Sequence, residues 1–222
     1  MGSPTCERRH TIEEAERVDP VAANSKVSAM AADPIARFQR WFRAAQRHAA
    51  IPQPEAMGLA TADRRGRPSL RVVLLKHAGA DGFVFYTNAR SRKGRELAAN
   101  PWASLAFHWQ PLGRQVRVEG RVEQVSAEEA DAYWSTRPRE SQLGGAASDQ
   151  SAPIASRAAL LRRWRELSRR YLGSAVPRPP HWTGFRVVPT AIEFWTLRPY
   201  RMHDRELYRR SRSGWRVTRL QP

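Results

Sequence analysis

Residues Met57 to His77 read MGLATADRRGRPSLRVVLLKH. Small and apolar residues run from Met57 to Ala62, Arg64-Arg65-Gly66-Arg67 interrupts them, and an apolar run resumes from Leu70 to His77. Two strand-like segments joined by a glycine-containing turn predict a β-hairpin. The pattern continues outward. Ala78-Gly79-Ala80-Asp81-Gly82 is a second turn, into a strand over 83–87, and strands over 103–109 and 115–124 flank the turn Pro111-Leu112-Gly113. Three further runs, 185–188, 191–196 and 201–208, read as strands, with 215–220 following Ser213-Gly214. Helices interleave with them. Asp33-Pro34 is a capped start followed by an apolar stripe of Ile35, Phe38, Trp41, Phe42 and Ala45, residues 91–100 form a short helix, and the capping box Ser126-Ala127-Glu128-Glu129 opens a helix to Thr136. Residues 156–172 place Leu160, Leu161, Trp164, Leu167 and Tyr171 on one face of a helix whose other faces are rich in arginine. Strands separated by short turns, with helices between some of them, indicate an α+β fold built on an antiparallel barrel.

A chain of 222 residues with 41% hydrophobic residues and eight tryptophans supports one folded domain. We place that domain at 33–222 and read 1–32, which lacks periodicity, as a disordered leader. The single cysteine, Cys6, excludes an internal disulfide and any thiolate cluster, and the six histidines never fall at metal-ligand spacing, so no metal is expected. No apolar run reaches the roughly 20 residues of a membrane span and no secretion signal is present, which points to the cytoplasm. The net charge of +17 suits nucleic acid or anionic metabolites. Nucleic-acid binding ranks lower, because the arginines are spread along the whole chain and no nucleic-acid module is present.

Tyr133-Trp134-Ser135-Thr136-Arg137-Pro138-Arg139-Glu140-Ser141-Gln142 interleaves an aromatic hydroxyl, two guanidinium groups and two serine hydroxyls. Arginine offers a planar fork of donors to phosphate oxygens, and hydroxyls complete the shell without further charge. Pro138 ends the helical run, and a solvated polar loop behind it is the plainer alternative. Only Lys26, Lys76 and Lys93 are lysines among 38 basic residues, and two of them fall in the neighbourhood of further phosphate-suited residues. Nucleotide-binding loops of the G-x-G-x-x-G and G-x-x-x-x-G-K-[ST] kinds are absent, as is a G-x-S-x-G elbow.

Seven motifs occur in one order: Arg71-Val72-Val73-Leu74-Leu75-Lys76, Phe85-Tyr86-Thr87-Asn88, Ser91-Arg92-Lys93, Arg114-Gln115-Val116, Arg137 to Gln142, Glu193-Phe194-Trp195 and Arg201-Met202-His203-Asp204-Arg205. In these the chain resembles the pyridoxamine 5'-phosphate oxidase family, from about Asp33 to Pro222. The resemblance implies a split β-barrel homodimer with FMN bound between subunits. It implies oxidation of the amine or alcohol at the 4' carbon of a phosphorylated B6 vitamer, with oxygen as acceptor and hydrogen peroxide released. Carried over, FMN falls to Arg71, Val72, Val73, Leu74, Leu75, Lys76, Tyr86, Thr87, Arg92, Lys93, Gln115, Gln150, Ser151, Trp195 and Arg205. The substrate falls to Lys76, Tyr133, Arg137, Ser141, Arg201 and His203, the last two as catalytic candidates. Arg71, Arg92 and Lys93 suit the FMN phosphate. If 201–208 is extended, Arg201, His203 and Arg205 share a face. His203 is either a proton relay or a buried hydrogen-bonding histidine.

The chain departs from the family pattern in three places. The leader lacks an Arg-x-x-Tyr element, Gly145-Ala146 stands where Ala-Trp is usual, and Leu197-Arg198-Pro199-Tyr200 replaces a glycine-rich turn. A wider pocket follows, so an oxidase of a bulkier substrate, such as a dihydrophenazine-type tricycle, is the second reading. Tyr133, Arg137 and Ser141 favour the phosphorylated vitamer. A non-enzymatic FMN-binding barrel ranks below both.

Overall fold

The hairpin forms as predicted in the computed structural model, which describes residues 33–222. The expected leader lies outside the described residues. Strand β1 (Ala56–Ala62) pairs antiparallel with β2 (Pro68–Leu74), from Ala56 opposite Leu74 to Ala62 opposite Pro68. Asp63 fixes the turn: its Oδ1 accepts from the backbone N–H groups of Arg65 and Arg67 at 2.9 and 3.0 Å, and Gly66 sits at φ 75°. That is the left-handed region, where glycine carries no Cβ penalty.

The second strand stops short of the predicted His77. Leu75 and Lys76 leave the ladder, the Lys76 N–H donates to Val84 O at 2.8 Å, and β3 (His77–Gly79) pairs with β4 (Gly82–Asn88) on the far side. Helix α2 (Arg92–Ala99) follows, with Ser91 Oγ accepting from the Gly94 N–H at 3.3 Å. Next come β5 (Trp102–Trp109) and β6 (Arg114–Gln124), joined through Gly113 at φ 58°. After three helices, the long β7 (Trp182–Thr196) completes the path β2-β1-β5-β6-β7-β4-β3. The two ends of that path are joined by a two-residue step, so the sheet must curl until they meet. The result is an antiparallel split barrel.

One strand, β7, replaces the two runs predicted around Pro189. The proline lies opposite Gly120, where the β6 register shifts between Glu119 and Gly120. A bulge absorbs the missing N–H, and Gly120 has no room for a side chain, since a Cβ there would lie 2.1 Å from Val188 O. The predicted strand 201–208 is also corrected. Pro199–Arg201 form a 3-10 turn in which Tyr200 and Arg201 sit at φ 57° and 62°, and β8 (Asp204–Ser211) starts later, pairing with β7 and with β9 (Gly214–Leu220). Arg201 and His203 therefore lie ahead of the strand that carries Arg205, and the expected extended row of three is not formed.

Helix α1 (Pro34–Gln46) begins as predicted, with Asp33 Oδ1 accepting from the Ile35 N–H at 2.9 Å. Its buried stripe Ile35, Phe38, Trp41 and Ala45 closes one side of the core, where Phe38 meets Phe83 and Phe107 edge-on at 4.9 and 5.0 Å. Truncating a phenylalanine so placed typically costs about 3–5 kcal/mol. A second, smaller cluster of Trp134, Leu143, Val176 and Trp182 lies under α3 (Ala127–Thr136), α4 (Arg139–Ala147) and α5 (Arg157–Arg170). Helix α4 replaces the loop that polar composition suggests after Pro138. The proline ends α3 and then takes the cap position of α4, where its fixed φ and absent N–H cost nothing. Among the described residues no helix is long and apolar enough to cross a membrane.

Candidate active site

A cavity of about 640 Å³ opens between β2, β4 and the α3–α4 corner. Small-molecule sites span about 300–1,000 Å³. Val72, Val73, Leu74, Lys76, Tyr86, Thr87, Lys93, Tyr133, Arg137, Ser141 and Gln150, all singled out from sequence, line it. The tight α3–α4 corner brings Tyr133, Arg137 and Ser141 together. Tyr133 stacks on Tyr86 at 4.0 Å, and Tyr86 on Trp182 at 5.3 Å. Burial and the nearby Glu129 carboxylate push the Tyr86 hydroxyl up to about 12, so it stays protonated and able to donate.

Arg137 is the unbalanced group. Its guanidinium lies over the rings of Trp134 and Trp182 at 5.0 and 4.7 Å, and its buried Nη1 has no hydrogen-bond partner among the described residues. Burial lowers its pKa, yet arginine keeps its proton. A desolvated cation with unspent donors is costly alone and stabilised by an anion in reach. Gly145 leaves space for it: a Cβ there would come within 3.2 Å of both Arg137 Nη1 and the Trp134 ring.

A second cationic centre forms at the start of α2. Lys93, buried, donates to Gln150 Oε1 at 2.8 Å and Thr87 Oγ1 at 3.2 Å, and burial together with Arg71 lowers its pKa. Arg71 and Arg92 stand behind it outside the cavity lining, both on Glu96: Arg71 Nη2 at 3.2 Å from Oε2 and Arg92 Nε at 2.8 Å from Oε1. The Arg92 backbone N–H donates to Ser151 Oγ at 3.1 Å, which ties in the remaining predicted polar residue on that side. Leu75 packs in the core. Sequence reasoning missed Glu96 and Trp182 and gave Asn88 no role, whereas Gly145, read as widening the pocket, does line it. Glu96 had a signal, lying four residues after Arg92 on a short helix; Trp182 comes from a distant strand and had none.

The other predicted residues gather elsewhere. Gln115, Trp195 and Arg205 are register partners across β6, β7 and β8. Trp195 lies 4.6 Å from His203, whose Nδ1 accepts from the Arg198 N–H at 3.2 Å. Arg205 donates to Glu193 Oε1 at 2.8 Å and lines, with His203, a cleft of about 160 Å³. Arg201 is exposed on its turn. None of these five lines the larger cavity.

An antiparallel split barrel with two cationic centres around one cavity defines a class, and its fold matches a solved structure from Nostoc punctiforme. That protein is described as a pyridoxamine 5'-phosphate oxidase-related, FMN binding protein; TM-score is 0.67 and identity 19%, covering 83% of this chain and 96% of that one. Residues 44–171 match the family model of pyridoxamine 5'-phosphate oxidase, and residues 182–222 that of the pyridoxine 5'-phosphate oxidase C-terminal dimerisation region. The pyridoxine/pyridoxamine 5'-phosphate oxidase of Paraburkholderia phytofirmans is 56% identical over 192 residues, covering 86% of this chain and 89% of that one. The crystal structure of PhzG from Burkholderia lata, in complex with tetrahydrophenazine-1-carboxylic acid, superposes with a TM-score of 0.81 at 37% identity, covering 86% and 93%. The chain belongs to the pyridoxamine 5'-phosphate oxidase family. It is an FMN-dependent oxidase of that family.

Proposed function

We propose that this enzyme oxidises pyridoxamine 5'-phosphate and pyridoxine 5'-phosphate to pyridoxal 5'-phosphate with oxygen as acceptor, releasing hydrogen peroxide in the cytoplasm. The observation that carries it is Arg137, a guanidinium with an unpartnered buried Nη1, lining a cavity that Tyr133 and Ser141 also line. Two phosphate groups, one of FMN and one of substrate, match two separate cationic centres. The donor set fits FMN: Lys93, Thr87 and Gln150 with Arg71, Arg92 and Ser151 behind them would hold its phosphate side, and Val72, Val73, Leu74, Lys76 and Tyr86 would border the rest. When bound, FMN supplies the hydride acceptor. The protein's own work is binding and orientation. Arg137 grips the substrate phosphate with Tyr133, Ser141 and Lys76 around it, a remote anchor whose binding energy holds the reacting carbon in place.

The active unit is a homodimer. Residues 182–222 match a dimerisation region, and Gln115, Trp195, Arg201, His203 and Arg205 lie apart from the cavity they are assigned to. Exposed apolar residues suit such an interface: Leu70 and Val72 on β2, and Leu197, Tyr200 and Met202 around the strained turn. A second copy would bring this C-terminal group to the cavity of the first, with Arg201 positioning substrate and His203 moving a proton or holding a hydrogen bond.

The second reading is oxidation of a bulkier, tricyclic substrate. Gly144 and Gly145 line the cavity without side chains, and the Burkholderia lata relative was solved with such a molecule. Peroxide release from pyridoxamine 5'-phosphate, from unphosphorylated pyridoxamine and from a dihydrophenazine carboxylate separates the two. The phosphorylated amine should be the best substrate by at least about tenfold, the scale of one charge-assisted contact. Preference for either other compound would replace the vitamer reading.

A further inference from the structure

Glu96 is the one carboxylate inside the cationic centre at α2, and it is 6% exposed. Oε2 accepts from Thr61 Oγ1 at 2.5 Å, Ser69 Oγ at 2.6 Å and Arg71 Nη2 at 3.2 Å, and Oε1 accepts from Arg92 Nε at 2.8 Å. Burial alone would raise its pKa. The hydrogen bonds from Ser69, Thr61, Arg92 and Arg71 outweigh burial and hold it at about 2, so Glu96 is ionised across the working range.

The two arginines are held differently. Arg71 directs both terminal nitrogens inward, to Leu59 O, Thr61, Ser69 and Glu96, and becomes a fixed charge. Arg92 gives Glu96 only its Nε, and its side chain is otherwise 62% exposed. Its terminal fork is left free, on the same helix turn as Lys93. Arg71, Arg92 and Lys93 set against Glu96 leave a net charge of +2, the complement of a phosphate monoester near −2.

We propose that Glu96 is a positioning residue for the cofactor phosphate: it pins Arg71, aims the free fork of Arg92, and trims the local charge to match the dianion. This rests on the assignment of the FMN phosphate to Lys93 and its neighbours. The test is titration of the cofactor-stripped full-length protein with FMN and with riboflavin, which has the same ring system without the phosphate, followed by flavin fluorescence. In Glu96→Gln, FMN binding should weaken by about tenfold, the scale of one charge-assisted hydrogen bond, while riboflavin binding stays within about twofold. Glu96→Asp keeps the charge but draws both carboxylate oxygens back by one methylene from their partners, Arg92 included. It should fold even where Glu96→Gln does not, and lose FMN affinity by severalfold with riboflavin unchanged. Equal losses for both flavins would mean that Glu96 only supports the fold, and unchanged FMN binding in Glu96→Asp would also overturn the proposal. Lys93→Ala separates the layers: if it weakens FMN while the Glu96 variants do not, Glu96 is wrong and the phosphate assignment survives; if Lys93→Ala has no effect, the assignment itself fails.

Discussion

The cavity bounded by β2, β4 and the α3–α4 corner differs in kind from the C-terminal group around Trp195. In the first, polar side chains are pre-set by buried partners: Lys93 by Thr87 and Gln150, Arg71 by Glu96, Arg137 by two indole rings. In the second, Arg201 is exposed on a turn with two consecutive left-handed non-glycine residues, and Tyr200 beside it is 96% exposed. A left-handed non-glycine residue costs of order 1 kcal/mol and persists where other contacts impose it. The cavity is thus set within a single chain, whereas the C-terminal group, which the proposed function brings to the site from a second copy, leaves apolar side chains exposed.

The largest expected break in this contrast is Arg137→Ala. Removing the unpartnered guanidinium should lower kcat/KM for pyridoxamine 5'-phosphate by about a hundredfold, since a charged contact in a desolvated pocket is worth up to about 3 kcal/mol, with the flavin absorption spectrum unchanged. Steady-state kinetics with that substrate reads it, and parent-like kinetics would remove Arg137 from the site. Lys93→Ala should act on the cofactor instead, weakening FMN by at least about tenfold, measured by equilibrium titration. Thr87 and Gln150 stay paired to each other at 2.9 Å, so the fold should survive.

A mixing experiment decides whether the two halves come from different chains. Arg137→Ala and Arg205→Ala variants, each expected to be strongly impaired, are unfolded together and refolded as a mixture. If each site takes its cavity from one subunit and its C-terminal group from the other, mixed dimers hold one intact site. Random pairing then restores about a quarter of parent activity. No recovery would put both halves of each site on one chain. The smallest effect is expected from Gly145→Ala, whose Cβ would crowd Arg137 Nη1 at 3.2 Å. KM for the phosphorylated substrate should rise by about threefold with kcat little changed, because the guanidinium needs to shift only by a few tenths of an ångström.

The sequence was most legible where structure is local. The Asp33 and Ser126 caps, the β1–β2 turn and the apolar stripe of α1 follow from residue spacing and hydrogen-bonding chemistry and form, although Glu129 of the expected capping box turns to Arg186 instead of Ser126. Prolines misled twice, for opposite reasons. Pro138 ends α3 and starts α4 in a single step, which composition alone reads as loop, and Pro189 is carried inside β7 by a register shift against β6 that leaves Thr190 without a partner and that no local pattern reveals. The Arg201 turn was read as strand because alternation was counted across residues whose backbone is left-handed. At the site, the motifs named nearly all the cavity's polar lining. They were silent on Glu96 as the common partner of Arg71 and Arg92, since that role arises only when β1, β2 and α2 meet in space.

The step at Leu75 and Lys76 ties together the two ends of the sheet's strand path. An ordinary edge strand frays alone, but here separation of β2 from β1 must pull on β3, so the amides of both edges should exchange with solvent as one cooperative unit. Lys76 belongs both to this tie and to the cavity lining. Occupancy of the proposed site would therefore act as a latch on the sheet closure, and slowed amide exchange at both edges together would report a loaded enzyme without any turnover.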